Sequence, residues 1–207
     1  MKKNCTVILL VFVFLFVSCR DDKYQELSEN YEYLNNGKNN RLILSDNIIL
    51  HRSIYPDVTD YAFNNSFIIV EQRPNKEGFL SNFSFDLLNG YTAYKQLLDS
   101  PSIGKRPEWA EVSNKVRGDS LIYKPFIERN VSINNTSNAA KIARLIVDSL
   151  MENNYTYAKI FYQKINYWII VHSNDSLYGP LNRQEFLLLK RKLNVPNDLK
   201  LEFEQTQ

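Results

Sequence analysis

The chain opens with an apolar run that separates a short leader from the part that folds. Lys2 and Lys3 precede an unbroken apolar run of 11 residues at 7–17. A helix that spans a bilayer needs about 20 apolar residues, so this run is too short to be a stable span. A charged start, a short apolar centre and a small residue, Ser18, are typical of a secretory signal. We therefore predict that residues 1–18 are a signal peptide.

The residues that close this run resemble the lipobox of bacterial lipoproteins: Leu15, Phe16, Val17 and Ser18, followed by Cys19. The resemblance implies that Cys19 receives diacylglyceryl and acyl chains and becomes the first residue of the mature protein. The protein would then be anchored in the cell envelope, at the outer membrane, without a transmembrane helix. The alternative is an ordinary secretory signal with an incidental cysteine.

The residues after Cys19 bear on which face of the membrane carries the protein. The acidic pair at 21–22 resembles the surface-export signal of Bacteroidetes lipoproteins, and a solvated, charged spacer is the alternative. Three Asp-Ser-Leu triplets, at 119–121, 148–150 and 175–177, are similar to the O-glycosylation sequon of the same phylum. These patterns leave both the surface and the periplasmic orientation open.

Cysteine use and charge exclude several classes of function. The chain has two cysteines, Cys5 and Cys19, and the first lies in the predicted signal peptide. The mature chain would have no free thiol, which excludes a disulfide framework and a cysteine metal site. The 25 basic and 23 acidic residues become 23 and 23 once Lys2 and Lys3 leave with residues 1–18. A balanced charge gives no field that would favour nucleic acid as a partner.

The mature chain divides into a lipidated N-terminus with a polar tether at 19–40, a single globular domain at 41–203 and a tail at 204–207. The tether is rich in Asn and Glu. Its apolar residues Tyr24, Leu27, Tyr31 and Leu34 recur with helical spacing, which predicts a helix that Gly37 ends. The domain is long enough to bury a core of its own.

The first half of the domain reads mainly as strands. Residues 41–44 and 48–51 flank a turn, and residues 58–63 and 66–72 flank Asn64-Asn65, which predicts a hairpin. A helix is predicted over 85–98, despite Gly90, and a short one over 108–116. Residues 121–133 are ambiguous, because Pro125 argues against a central strand.

The second half shows clearer signals. A helix begins at Ser137 or Asn138 and ends near 153–154, and residues 157–163 and 167–172 predict a hairpin with a third strand at 177–178. Gly179-Pro180 reads as a turn. The last helix has Asn182 and Glu185 as a capping box. Its remaining signals are a staple formed by Leu181 and Phe186, a stop at Asn194 and Pro196, and a basic last turn at 190–192 that suits the helix dipole.

These elements predict an α+β fold of antiparallel β meanders with about three packed helices. Residues 61–72 and 163–173 look alike, which indicates either two similar ββ units or convergent strand composition. The segments 67–72, 167–171, 177–181 and 193–196 resemble an uncharacterised lipoprotein family of Bacteroidetes and some Firmicutes. That family has no known function, so the resemblance implies no catalytic residues.

Residues that could carry chemistry are sparse. His51 and His172 stand at strand ends in different halves and lack metal-ligand spacing. No Gly-x-Ser-x-Gly elbow and no phosphate-binding glycine loop occurs. The carboxylates Asp57, Glu71, Glu108 and Glu111 are candidates for a glycosidase pair, or else surface residues. We therefore predict no cofactor, no metal site and no enzymatic activity.

Aromatic side chains are the strongest binding signal. Tyr155, Tyr157, Tyr162, Tyr167 and Trp168 concentrate on the predicted hairpin, and an exposed strip of them would bind a glycan or a protein partner. Ordinary strand propensity is the alternative. The predicted function is a lipid-anchored, non-enzymatic binding or interaction module. An immunity- or inhibitor-type lipoprotein directed against a toxin or hydrolase is one alternative, and a cryptic envelope hydrolase is the second.

Overall fold

The computed structural model describes residues 24–45, 52–99, 114, 116–119 and 121–205. They form an α+β fold with two antiparallel sheets, of three and four strands, and packed helices. The strands are β1 (Tyr24–Ser28), β2 (Tyr31–Asn35), β3 (Arg41–Ser45), β4 (Val58–Phe63), β5 (Phe67–Gln72), β6 (Asn166–Val171) and β7 (Ser176–Leu181). The α-helices are α1 (Lys76–Asp99), α2 (Lys124–Glu128), α3 (Thr136–Asn153), α4 (Tyr155–Ala158), α5 (Arg183–Lys192) and α6 (Glu202–Gln205). The predicted strand at 48–51 lies outside the described residues.

The predicted tether is wrong for residues 24–40, which belong to the folded domain. β1 and β2 form a hairpin, and Leu27 and Tyr31 are buried in the main core. Tyr24 pairs directly with Leu34 across this hairpin. Tyr31 and Leu34 are three positions apart on β2, so their side chains point to opposite faces of the hairpin, and the spacing that resembled a helix does not form one apolar stripe.

The four-stranded sheet is buried on both faces. Strand order is β4-β5-β6-β7, so the hairpin predicted around Asn64-Asn65 is confirmed, with both its strands inside one sheet. Ile68 and Trp168 face the main core under α1 and α3, while Ile69 and Tyr167 face a second core under α5. Burial on both sides explains why β5 reads as a continuous apolar run rather than an alternating one.

The predicted hairpin over 157–163 and 167–172 is wrong in its first arm. Residues 155–158 form α4, and a 3₁₀ turn, Lys159–Phe161, follows. Asn154 caps α4 by accepting a hydrogen bond from the Thr156 amide. Tyr157 and Ile160 are three residues apart and both buried, so a helical turn, not a strand, brings them to the same face. The second ββ unit therefore does not form, since β6 pairs with β5 and β7.

Other helix predictions differ from the structure mainly at their ends. The helix predicted over 85–98 lies inside α1, which starts earlier, and α3 is capped by Asn135 rather than by Ser137 or Asn138. Pro125 stands in the first turn of α2, where a missing amide hydrogen has no cost. The capping box of Asn182 and Glu185 on α5 is confirmed. The predicted turn at Gly179-Pro180 lies within β7 instead.

The strands of both sheets run between the same two ends of the domain. At the first, which we call the N-terminal end, Asn35 pairs with Arg41, whose guanidinium binds Asp57 at 2.7 Å. Asp57 in turn exchanges backbone hydrogen bonds with Arg73. Gln72, the last residue of β5, pairs with Asn166, the first residue of β6, so Arg73 and Ile165 adjoin this pair at the same end. The opposite end, the turn end, carries the turns at 28–30, 64–66 and 172–175.

Candidate functional site

Three turns enclose a polar cavity of about 330 Å³ at the turn end. They come from the β1–β2, β4–β5 and β6–β7 connections, so the cavity joins the two sheets. Its lining is Leu27, Ser28, Glu29, Asn30, Asn65, His172 and Asp175. A cavity of this size lies at the small end of the range that holds small ligands.

Asp175 fixes the geometry of the cavity. Its two carboxylate oxygens accept hydrogen bonds from Arg52 Nη1 at 3.1 Å and from Asn30 Nδ2 at 3.2 Å, which ties β6–β7 to the other sheet. Asp175 has a positive φ of 52°, which side chains rarely adopt and which aspartate tolerates better than most. The carboxylate is therefore a structural tie whose charge is balanced by an arginine.

His172 presents one ring nitrogen without a partner. Its ring stacks on Tyr31, with centroids 6.4 Å apart and planes 14° apart. Nδ1 lies 3.2 Å from the backbone oxygen of Asn65. A carbonyl only accepts, so Nδ1 must carry the proton, and in the neutral ring Nε2 is then an acceptor. Nε2 is buried and has no hydrogen-bond partner among the described residues.

The cavity is suited to binding donors rather than metal ions. Within the described ranges, no three His, Cys, Asp or Glu side chains are close enough to hold a metal. Glu29 adds an exposed carboxylate at the rim, and His172 adds the buried acceptor. A buried acceptor without a partner costs free energy, so a bound hydroxyl or amine that donates to it would be favoured.

The sequence predicted that an exposed strip of five aromatic residues between 155 and 168 binds a partner, and this strip does not form. Tyr157, Tyr167 and Trp168 are core residues, exposed by only 6%, 6% and 5%. The Trp168 indole donates to Gln72 Oε1 at 2.9 Å, and Tyr167 packs on Phe186. Burial explains the correction, since α4 and β6 place these rings under the helices.

Tyr155 and Tyr162 are the two members of the predicted strip that the structure leaves exposed, by 74% and 69%. Their rings form an edge-to-face pair with centroids 6.5 Å apart. Tyr157 lies between them in sequence and packs in the core, with its ring centroid 5.4 Å from that of Phe83. The exposed pair is therefore carried on an anchored segment.

The carboxylates proposed from sequence do not form a catalytic pair in the described residues. Asp57 is buried, and both its oxygens bind the Arg41 guanidinium. Glu71 accepts a hydrogen bond from the Thr59 hydroxyl at 2.9 Å. Glu108 and Glu111 lie outside the described residues, as does His51. Sequence reasoning missed Glu29, Asn30, Asn65 and Asp175, whose shared signal is their position in turns.

A second feature that the sequence did not reveal is a half-buried carboxyl group at the edge of the aromatic core. Asp86 on α1 accepts a hydrogen bond from the Tyr55 hydroxyl at 2.9 Å. Burial raises the pKa of Asp86 from 3.8 to about 6, although the Tyr55 hydrogen bond opposes this. Burial also raises the pKa values of Tyr55, Tyr123 and Tyr157 around it. Asp86 follows Phe83 by three residues, so it shares the core-facing stripe of α1.

We predict that Asp86→Asn makes the protein more stable at neutral pH. Between pH 4 and pH 6 the unfolded chain loses the Asp86 proton while the folded protein keeps it, so stability falls as pH rises. A pKa raised from 3.8 to about 6 corresponds to a loss of up to about 3 kcal/mol at pH 7.5. Urea unfolding at pH 4 and pH 7.5 should show the advantage of the variant growing with pH. The exposed Asp198→Asn control should show no such growth, and equal behaviour of the two variants would contradict the prediction.

A second groove is less suited to a ligand. It has a volume of about 700 Å³ and lies beside the C-terminal end of α5. The basic last turn predicted at 190–192 is confirmed, but the structure gives Lys190 a further role. Its side chain is buried, and its Nζ donates to Leu199 O at 2.8 Å and to Glu204 Oε1 at 2.7 Å. The ammonium group of Lys190 is therefore already engaged within the protein.

Comparisons with known proteins identify a domain without giving an activity. Residues 113–205 match a family described as "Protein of unknown function (DUF3997)". This range contains His172 and Asp175 but not the β1–β2 turn that closes the cavity. No curated protein and no solved structure matches the chain. Among the described residues, no helix is long and apolar enough to cross a membrane.

Proposed function

We propose that this protein is a lipid-anchored, non-enzymatic binding module of the cell envelope, held outside the cytoplasm by lipid on Cys19. The signal-like residues 1–18 and the lipobox support the anchor. The binding role is supported above all by one observation: His172 lines a polar cavity, and its Nε2 is buried without a hydrogen-bond partner among the described residues.

The ligand that this cavity suits is hydroxyl-rich and about the size of one sugar ring. Hydroxyl groups donate and accept, so one molecule can satisfy the His172 acceptor, the Glu29 carboxylate and the Asn30 amide. The volume of about 330 Å³ limits the bound part to a single compact group. A terminal sugar of a glycan has this chemistry and size.

A titration with monosaccharides tests this proposal. The mature protein, isotopically labelled, is titrated with neutral hexoses and N-acetylhexosamines while amide NMR signals are followed. We expect one or more sugars to shift residues of the three turns. Glu29→Gln and His172→Phe should each weaken the affinity about tenfold, because each removes one hydrogen bond to a charged or buried group. His172→Phe keeps an aromatic ring to stack on Tyr31.

Glu26→Gln is the matched control. Glu26 is exposed, as Glu29 is, but it lies on β1 and does not line the cavity. Its affinity should equal that of the unchanged protein, and the sugar should be recovered intact. Shifts that ignore Glu29 and His172 would contradict the cavity as the site. Release of acetate from an N-acetylhexosamine, by hydrolysis of its amide bond, would favour the envelope hydrolase instead. Binding of a toxin or hydrolase with the same Glu29 dependence would favour the inhibitor alternative.

A further inference from the structure

The chain leaves very little length between the lipid anchor and the folded domain. β1 begins at Tyr24, so four residues, 20–23, separate it from Cys19. Five peptide units span at most about 18 Å when fully extended. This inference rests on the lipid anchor of the proposed function. With that anchor, the N-terminal end of the domain must lie at the membrane surface.

The N-terminal end carries exposed apolar side chains. Tyr24 is 56% exposed and Ile165 is 37% exposed, and both lie where strands begin at this end. Tyr155 and Tyr162 belong to the same end, because Phe161 between them packs on Phe79 in the first turn of α1, with ring centroids 5.4 Å apart. Tyrosine is enriched at the water-facing boundary of membranes, where its ring and hydroxyl meet both environments.

The same end has more free cations than anions among its described residues. Lys38, Arg73, Lys76 and Lys164 are exposed. Of the acidic residues nearby, Asp57 is buried against Arg41, Glu77 pairs with Arg144 and Glu71 accepts from the Thr59 hydroxyl. Glu152 and Glu185 are exposed, against the four exposed cations.

This charge pattern favours an anionic lipid surface, because basic residues close to such a surface are attracted to its negative headgroups. The turn 36–40 that holds Lys38 is fixed to the start of α1, since Asn75 Nδ2 donates to Asn39 O at 3.0 Å.

We propose that the N-terminal end docks on the phospholipid surface, with Tyr155, Tyr162 and Ile165 at the headgroup level. The exposed tyrosine pair is then a membrane contact and not a glycan platform. Strands of this length separate the two ends by about 17 to 20 Å, so the turn end and its cavity face away from the bilayer. The lipid chain and the protein surface together fix one orientation.

Fluorescence quenching on the lipidated protein tests this orientation. The mature chain would have no free thiol, so Asn36→Cys at the N-terminal end and Ser173→Cys at the turn end each give one labelling site. Each labelled protein is reconstituted in vesicles of phosphatidylethanolamine and phosphatidylglycerol that contain a headgroup quencher. We expect strong quenching at residue 36 and almost none at residue 173.

The double variant Tyr155→Ser/Tyr162→Ser should reduce quenching at residue 36, and Phe85→Ser should not. Phe85 is 65% exposed on α1 and provides the matched aromatic control. Equal quenching at both sites in a protein whose mass includes the lipid would overturn the docking alone. A mass without lipid on Cys19 would overturn the anchor of the proposed function, and the docking with it.

Discussion

Replacing Gly179 with alanine is expected to destabilise the protein more than any other single methyl group added to its strands. Gly179 lies in β7 with a φ of 147°, a conformation that side chains rarely adopt. An added Cβ would contact the Trp168 ring, 2.7 Å from Cδ2. Overpacking and backbone strain together should cost about 4 kcal/mol, which urea unfolding would measure.

Gly37→Ala separates the two causes of this loss. Gly37 also has a positive φ, of 105°, but no atom lies within 4 Å of its added Cβ. We expect Gly37→Ala to cost only about 1 to 2 kcal/mol, the strain alone. Similar losses for the two variants would show that Trp168 does not pack closely on β7.

Lys190→Ala is expected to cause the second large loss, because it leaves Glu204 in a poorly solvated site without its cation. The side chains of Lys190 and Glu204 are only 9% and 13% exposed. Removing one partner of such a pair costs about 3 to 5 kcal/mol, and the midpoint of thermal or urea unfolding would report it.

Lys192→Ala is the control for this result. Lys192 lies in the same last turn of α5 and is exposed, so its loss should cost less than about 0.5 kcal/mol. If both lysine variants lost equally little, the Lys190 contacts with Leu199 and Glu204 would not be maintained in solution.

The parts of the fold that were predicted correctly are those whose signals are local. The α5 capping box needs only Asn182 and Glu185, and the β4–β5 hairpin needs a turn between two apolar runs. The left-handed Asn194, which ends α5 with a φ of 56°, depends on its own backbone preference. Such features need no knowledge of distant residues.

The wrong predictions arose where a residue's partner is far along the chain. The β1–β2 hairpin looked polar and partly helical, and its apolar face is defined only by packing in the main core. In the sequence Lys190 resembles any basic residue at a helix end, whereas in the structure it pairs with Glu204 on α6. Gly179 resembled a turn residue, although its small size is needed by Trp168 on the neighbouring strand.

The candidate site was beyond sequence reasoning for the same reason. Its residues come from three turns, and Asn30 and Asp175 are 145 positions apart. His172 was recognised only as a histidine at a strand end. Its protonated nitrogen is identified only by the contact of Nδ1 with the Asn65 oxygen, which lies 107 positions away in the sequence. Turn residues follow no periodic pattern, so the sequence around them does not predict either of these distant contacts.

The imidazole NMR spectrum of His172 reports directly on whether this side chain binds a sugar through Nε2. The chain has two histidines, so a His51→Gln variant assigns the signals. We expect the neutral ring to carry its proton on Nδ1, and a bound sugar to shift the Nε2 resonance through a new hydrogen bond. A proton on Nε2, or an Nε2 signal unchanged at saturating sugar, would contradict this expectation.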